Sequence, residues 1–383
     1  MNNDVSVEGL LTATPPVAHR CATGDAGLRI AMVAPPYFTV PPAGYGGVEA
    51  IVADLVDALV DRGHHITLIG AGAPGTRAQQ FVPTTDEACA SQLGQALPEV
   101  VHTARVAEIL HGCDVDLIHE HTLTGPLLAR GRRTPTVVTV HGPVRGQDGE
   151  YYRALGDSAR LIAISEAQRG TAPDLHWLAT VHNGIAVDTF PFRAVKENFA
   201  LFLGRFHEQK APHLAIDAAR AAGLPAVLAG KCSEPVELAY FEAEIAPRLG
   251  PDVTVLGPAD ASAKRELLAR ACCLLFPICW DEPFGLVMVE ALACGTPVVA
   301  LRRGSVAEIL VDGRTGAICD DPSGLADAIG RARELDPAVC RAEAERRFTA
   351  EAMAAGYEAA YRRVLQAGPG SRTHSAPQSL RAG

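Results

Sequence analysis

Short apolar runs broken by glycine and proline recur along the chain, and stretches with helical spacing separate them. Leu28–Ala34, LRIAMVA, is the first such run and is predicted to be a buried strand. A Pro/Gly loop, Pro35–Gly47, follows it. Val48–Gly63, VEAIVADLVDALVDRG, has the periodicity of an amphipathic helix and closes on a glycine stop. His64–Gly70 returns to a strand pattern, which completes a βαβ unit. Further strands are predicted at Asp116–His121, Thr136–Gly142 and Arg160–Ser165.

The rhythm breaks at His182–Asn198, which has the pattern of an interdomain linker. A second alternating series opens with the strand Phe199–Arg205 and the helix His213–Gly223. Strands follow at Ala226–Gly230, Val253–Gly257, Cys273–Pro277 and Pro297–Leu301, with helices at Ser262–Cys272 and Leu286–Ala293. Phe348–Leu365 is predicted to be a terminal helix. The fold class is therefore α/β, with two Rossmann-like domains facing across a cleft and ligands expected near the strand carboxyl ends. The expected division is 28–190 for the N-terminal domain, 191–347 for the C-terminal domain and 348–366 for a helix packing back on the first. Small, polar stretches at 1–27 and 367–383 are expected to be disordered.

Composition narrows the function. A chain of 383 residues is long enough for two domains. Its formal charge of −10 argues against general nucleic-acid binding and gives no support for electrostatic docking on anionic lipid. The 10 cysteines are scattered without zinc spacing, which fits a reducing cytoplasm. No secretory leader or membrane-spanning run is present in the pattern.

Two short patterns mislead. Gly70–Gly75, GAGAPG, has dinucleotide-motif spacing, but it follows the second strand and contains Pro74. Asp114-Val115-Asp116 resembles a metal-binding aspartate pair, yet solvated carboxylates are ordinary at a strand start. His119 and His121 flank Glu120 on a strand, where packing accounts for them better than a metal does.

The informative segment is Asp281–Val299, DEPFGLVMVEALACGTPVV. Pro283 and Gly285 shape a tight entry into a helix whose free N–H groups suit a diphosphate. Glu282 lies at that mouth, and Glu290 lies further along an otherwise apolar helix, where a carboxylate needs a partner. Each can accept two hydroxyl hydrogen bonds, as a sugar or ribose diol requires. The bland alternative is a helix-capping Glu282 and a solvated Glu290. Arg205 and Lys210, at the end of the second half's first strand, can neutralise a diphosphate without metal. His141 ends a strand and so faces the cleft.

These motifs resemble glycosyltransferase family 4, retaining enzymes of the GT-B fold, over residues 28–366. The resemblance is carried by GYGGVE (Gly44–Glu49), TVHG (Thr139–Gly142), AISEAQR (Ala163–Arg169), HNGI (His182–Ile185), GRFHEQK (Gly204–Lys210), the Glu282–Glu290 segment and GSVAEILVDGRTG (Gly304–Gly316). GRFHEQK departs from the commoner Ser/Pro-containing turn but keeps both cations. The resemblance implies that Glu290 binds donor ribose hydroxyls and Glu282 the hydroxyls of the transferred sugar. It places the backbone of Phe284, Gly285 and Leu286 along the sugar and diphosphate. Arg205 and Lys210 would hold the diphosphate, and Gly46 and Gly47 would let backbone approach the phosphates. His141 would face the reacting sugar.

The implied activity is hexosyl transfer with retention from a nucleotide-sugar, UDP-sugar first and GDP-mannose second. The implied acceptor is a small molecule or glycan in the first domain; no cofactor or metal is expected. The residues also leave open a GT-B-fold epimerase or phosphorylase, and a non-catalytic nucleotide-sugar-binding protein.

Overall fold

The computed structural model describes residues 27–367. The disorder expected at 1–27 and 367–383 concerns residues outside that range, apart from Gly27 and Ala367 at its edges. Two all-parallel sheets form the frame. The first contains β1 (Arg29–Val33), β2 (His65–Ala71), β3 (Gln80–Thr85), β4 (Leu117–Glu120), β5 (Thr136–Val140), β6 (Arg160–Ala163) and β7 (Trp177–Thr180), in the order β3-β2-β1-β4-β5-β6-β7. The second contains β8 (Ala200–Leu203), β9 (Ala226–Ala229), β10 (Val253–Leu256), β11 (Cys273–Phe276), β12 (Val298–Leu301) and β13 (Gly316–Cys319), in the order β10-β9-β8-β11-β12-β13. Helices cover both faces, which is why β4, β5, β11 and β12 are buried along their whole length.

Strand order reverses at β1/β4 in the first sheet and at β8/β11 in the second. A crevice opens at such a reversal because neighbouring loops diverge to opposite faces. The loops leaving β1, β4, β8 and β11 contain Gly46, His121, Arg205 and Glu282 respectively.

Several elements were not legible as pattern. β3 contains Pro83 and sits at the sheet edge, where a missing N–H is tolerated. β7 is a half-buried edge strand of 4 residues, and β13 is equally short. The helices Ala96–His111, Leu325–Arg333 and Pro337–Arg347 were also not read from the sequence.

The helix Ala350–Gln366 starts at Thr349, whose hydroxyl accepts from Ala352 N at 3.0 Å. It returns from the second domain onto the first. Tyr357 and Tyr361 are fully buried there. The Tyr357 hydroxyl lies 2.8 Å from Thr139 Oγ1 on β5, and the Tyr361 hydroxyl 2.7 Å from His119 Nδ1 on β4. Arg62, just past the helix Gly47–Asp61, pairs with Glu351 and Glu358 on the outer side. Tyr357→Ala is expected to cost about 3–5 kcal/mol through the cavity it leaves. Tyr361→Phe should cost less, about 1–3 kcal/mol, since it keeps the ring but leaves the buried His119 Nδ1 without its partner. Urea unfolding midpoints check both.

Candidate active site

The second-domain side is built from loops at strand carboxyl ends. After β8 the chain turns through Gly204–Lys210, with Phe206 N donating to Lys231 O at 3.0 Å and Cys279 N to Gln209 O at 2.8 Å. These bonds tie the β8, β9 and β11 loops together. The Lys210 ammonium pairs with Glu282 Oε2, and Trp280 Nε1 donates to the same oxygen at 2.9 Å. The ammonium also lies 5.3 Å from the centre of the Trp280 ring. Glu282 and Lys210, placed apart by the sequence, therefore form one unit.

Gly285 opens the helix Leu286–Ala293 at φ 76°. This left-handed conformation favours glycine, and a β-carbon there would also come within 3.0 Å of the Phe276 ring. No side chain caps the helix start, so Glu282 is not a cap. Gly304 lies against the loop from the other side: its β-carbon would fall 2.3 Å from Glu282 O. The fully buried Ser305 then pins the loop, donating from Oγ to Phe284 O at 2.7 Å and from N to Glu282 O at 3.0 Å.

Glu290 is 5% exposed, so it is not a solvated face residue. Its partner is Lys264, from the helix Ala261–Arg270. Oε1 of Glu282 and Oε2 of Glu290 enter no protein hydrogen bond among the described residues.

Arg205 has a separate acidic neighbour. Its Nη1 is 3.9 Å from Glu237 Oε1, and Lys231 Nζ is 3.8 Å from the same oxygen. Glu237 is fully buried; Oε2 accepts from Ser233 N at 2.9 Å and Glu234 N at 3.0 Å, while Oε1 has no hydrogen-bond partner. Arg205 and Lys210 thus stand in two clusters rather than one. Tyr45, from the loop after β1, feels both Arg205 and Lys231; burial raises its phenol pKa and these cations oppose the rise. Gly44 in the same loop faces Asp260 of the second domain, with 3.8 Å between its ideal β-carbon and Asp260 Cα.

On the first-domain side, Gly46 precedes the helix Gly47–Asp61, and a side chain at Gly47 would meet nothing within 4 Å. Glu49, in the first helical turn, is 4% exposed. Burial lifts its pKa from 4.5 to about 7.

His141, half-buried, ends a column of imidazoles whose other members, His121 and His119, are buried. Its Nε2 is 2.8 Å from His121 Nδ1, and His121 Nε2 is 3.1 Å from Met32 Sδ. A thioether only accepts, so His121 Nε2 carries the proton and Nδ1 accepts from His141 Nε2–H. His141 keeps a bare Nδ1. Burial pushes the His141 pKa down to about 4, so the ring is neutral at pH 7. His119 lies beneath, 4.1 Å from the His121 ring, between Thr139 and the Tyr361 hydroxyl. Glu120 points the other way to Arg132 at 2.9 Å. These histidines pack, and the described residues contain no group of three or more His, Cys, Asp or Glu arranged to hold a metal. Asp114 and Asp116 both bind Arg29 at the foot of the sheet. GAGAPG spans the end of β2 and a loop to β3, and no helix opens from it.

The two domains touch around the site. Ser165 Oγ donates to Pro283 O at 2.5 Å, and Arg145 pairs with Asp281 at 2.9 Å. Glu308 accepts from Glu166 N at 2.9 Å and Ala167 N at 3.1 Å, and also contacts His182. A 210 Å³ cavity beside these contacts is lined by Val144, Arg145, Thr171, Asp281 and Glu282.

Family models cover most of this frame: "Glycosyltransferase Family 4" matches residues 45–189 and "Glycosyl transferases group 1" matches residues 189–354. The D-inositol 3-phosphate glycosyltransferase of Mycolicibacterium smegmatis is 30% identical over 70% of this chain and 73% of its own. The chain belongs to glycosyltransferase family 4. It is also similar to the phosphatidyl-myo-inositol mannosyltransferase of Mycobacterium leprae, 26% identical over 79% of this chain and 86% of the relative. Among solved structures, AviGT4, a glycosyltransferase involved in avilamycin A biosynthesis, superposes with a TM-score of 0.70 at 26% identity, over 88% of this chain and 98% of that one. The architecture of this family 4 glycosyltransferase is the GT-B fold.

Sequence reasoning missed Lys264 and Ser305. One signal was available: the chain's only lysines are Lys196, Lys210, Lys231 and Lys264, all in the second domain.

A carboxyl with a raised folded-state pKa contributes stability that is fully present below its unfolded pKa and lost as pH rises through the folded value. For Glu49 that window runs from 4.5 to about 7. Glu49→Gln should therefore flatten the fall in melting temperature across this window and stabilise the protein at pH 8, by at most about 3 kcal/mol. Thermal melts at stepped pH read the effect.

Proposed function

We propose that this family 4 glycosyltransferase moves a hexosyl group, with retention, from a nucleoside diphosphate sugar to a hydroxyl of a small-molecule or glycan acceptor. The observation behind this is the pair of lysine-bound carboxylates, Glu282 and Glu290, flanking an uncapped helix start. Each keeps one oxygen for a substrate hydroxyl. In this reading Glu290 takes the ribose diol and Glu282 the sugar. The N–H groups of the 284–286 turn, with Lys210 and Arg205, hold the diphosphate. Gly46 and Gly47 admit it from the first domain.

In the reaction the acceptor oxygen bonds to the anomeric carbon as the bond to the diphosphate breaks. The bonding electron pair leaves with the diphosphate. The acceptor proton passes to the departing phosphate oxygen on the same face. Lys210 and Arg205 stabilise the charge that develops, a role whose loss typically costs about 10²–10³ in rate. Neutral His141 faces the reacting sugar and adds no positive charge beside the oxocarbenium-like carbon. A divalent cation has no assigned part. The donor is taken as a UDP-sugar first, with GDP-mannose second; the mannosyltransferase among the relatives favours mannose for the second choice.

A thermal-shift panel of UDP, GDP and ADP with their sugars, run in EDTA, tests the donor site. One nucleotide family should raise the melting temperature, and Glu290→Ala should abolish the rise. No shift with any nucleotide, or an unchanged shift in the variant, would overturn the assignment. Product NMR is expected to show the donor's anomeric configuration, and an inverted product would sink the same-face mechanism.

A further inference from the structure

Arg205 and Lys231 share one buried oxygen. Glu237 Oε1 lies 3.9 Å from Arg205 Nη1 and 3.8 Å from Lys231 Nζ, and it accepts no hydrogen bond among the described residues. The other oxygen of Glu237 is taken by Ser233 N and Glu234 N. A fully buried carboxylate cannot turn to water, so its charge stays with the two cations. Both separations exceed a hydrogen bond. Glu237 therefore holds the cations by charge and leaves their N–H groups to other acceptors. Arg205 donates no hydrogen bond to any described residue.

The backbone brings these cations together. Gly230, directly after β9, lies against Gly204, directly after β8; a β-carbon at 230 would fall 1.8 Å from Gly204 O. Glycine lets the two loops touch. Phe206 N then donates to Lys231 O at 3.0 Å, which keeps Lys231 level with Arg205. The pair faces the cleft, since Tyr45 of the first domain feels both charges. Gly46 and Gly47 follow Tyr45 directly in the chain.

Lys231 has a second acidic partner, Glu234, three residues on. The two acids differ in burial: the Glu234 side chain is 39% exposed and that of Glu237 is 0% exposed. The Lys231 hydrogen bond, aided by the charges of Lys231, Arg205 and His207, holds the Glu234 pKa below the usual carboxylate value. Glu234 is thus an ionised group resting on the cations from the solvent side. An ion pair with such a half-exposed partner contributes little net stability, because water competes for both groups. The two acids cancel the two cations. Moving Glu234 aside uncovers one net positive charge at the cleft, beside an arginine with free donors. A diphosphate brings more charge and more acceptor oxygens than one carboxylate, so it can take the place of Glu234.

We propose that Lys231 is a third cation for the donor phosphates, that a phosphate exchanges for Glu234 on its ammonium, and that Glu237 positions Lys231 and Arg205 as a pair. This role rests on the nucleoside-diphosphate reading of the cleft. Arg205 and Lys231 on the β9 side and Lys210 on the β11 side then meet the diphosphate from two directions. Glu237 touches no phosphate; it acts through the cations. Glu234 swings into water when the phosphate arrives and competes with it for Lys231.

Calorimetric titration of the full chain with UDP, GDP and ADP tests this, and the diphosphate that binds wild type is carried through the variants. Lys231→Ala should weaken its binding about ten-fold. Glu234→Gln keeps the side chain's length and removes its charge, and should tighten binding about three-fold. In Lys231→Ala/Glu234→Gln that gain should vanish, because no ammonium is left to compete for. Glu237→Gln should raise the Kd of protein that still melts in one transition. A purely structural Glu237 would lower the melting temperature and leave the Kd of the folded protein unchanged. Wild-type affinity in Lys231→Ala would overturn the proposal and leave the donor site standing. A Glu234→Gln variant that binds no more tightly than wild type, or whose gain persists without Lys231, would do the same. Failure of all three diphosphates to bind wild type would overturn the donor-site reading and this role together.

Discussion

A carboxylate removed from water needs a cation or a proton, and the second domain of this protein is organised by that requirement. Glu282 meets it through Lys210, which binds the β8 loop to the β11 loop. Glu290 meets it through Lys264, which fixes the helix Ala261–Arg270 against the helix Leu286–Ala293. Glu237 sits between Arg205 and Lys231 and joins the β8 and β9 loops. Glu49, in the first domain, has no such cation among the described residues, and its pKa rises to about 7 instead. The same contacts that make burial tolerable set the spacing of charges at the cleft.

The frame converts that local order into a shared site. Both sheets reverse strand order at one point, and the loops diverging there contain the candidate site residues. The terminal helix then links the two halves. It leaves the second domain, buries Tyr357 and Tyr361 against β4 and β5, and so supports the histidine column that ends in His141. A side chain at the cleft is thereby held by a helix that follows the second domain in the chain. Ser165, Arg145 and Glu308 close the remaining interdomain contacts at the level of the 282–284 loop.

The helix Ala96–His111 obeys the same rule in another form, with Glu99, His102 and Thr103 facing inward. Its inner polar groups are retained because the 122–124 turn and Thr84 satisfy them. Its outer face consequently carries the apolar residues that would ordinarily face a core. This helix was not read from the sequence, and apolar spacing alone does not say which face has partners.

Much of the protein was determined by the sequence alone. Alternating apolar runs of four to seven residues and helical stretches dictated two α/β halves, since parallel strands buried on both faces have no other pattern. The Glu282–Glu290 segment announced a helix mouth with carboxylates, because a charged residue on an otherwise apolar helix requires an explanation. What only the tertiary structure decided was pairing. Lys264 is 26 residues from Glu290 and Lys210 is 72 residues from Glu282, and no local spacing links either pair. Arg205 and Lys210, five positions apart in the chain, went to different clusters because the turn between them splays their side chains towards β9 and β11. Ser305 and Gly304 became supports for the 282–284 loop only once β12 ran beside β11. Sequence periodicity fixes the alternation of buried strands and covering helices; long-range packing fixes what each buried charge meets.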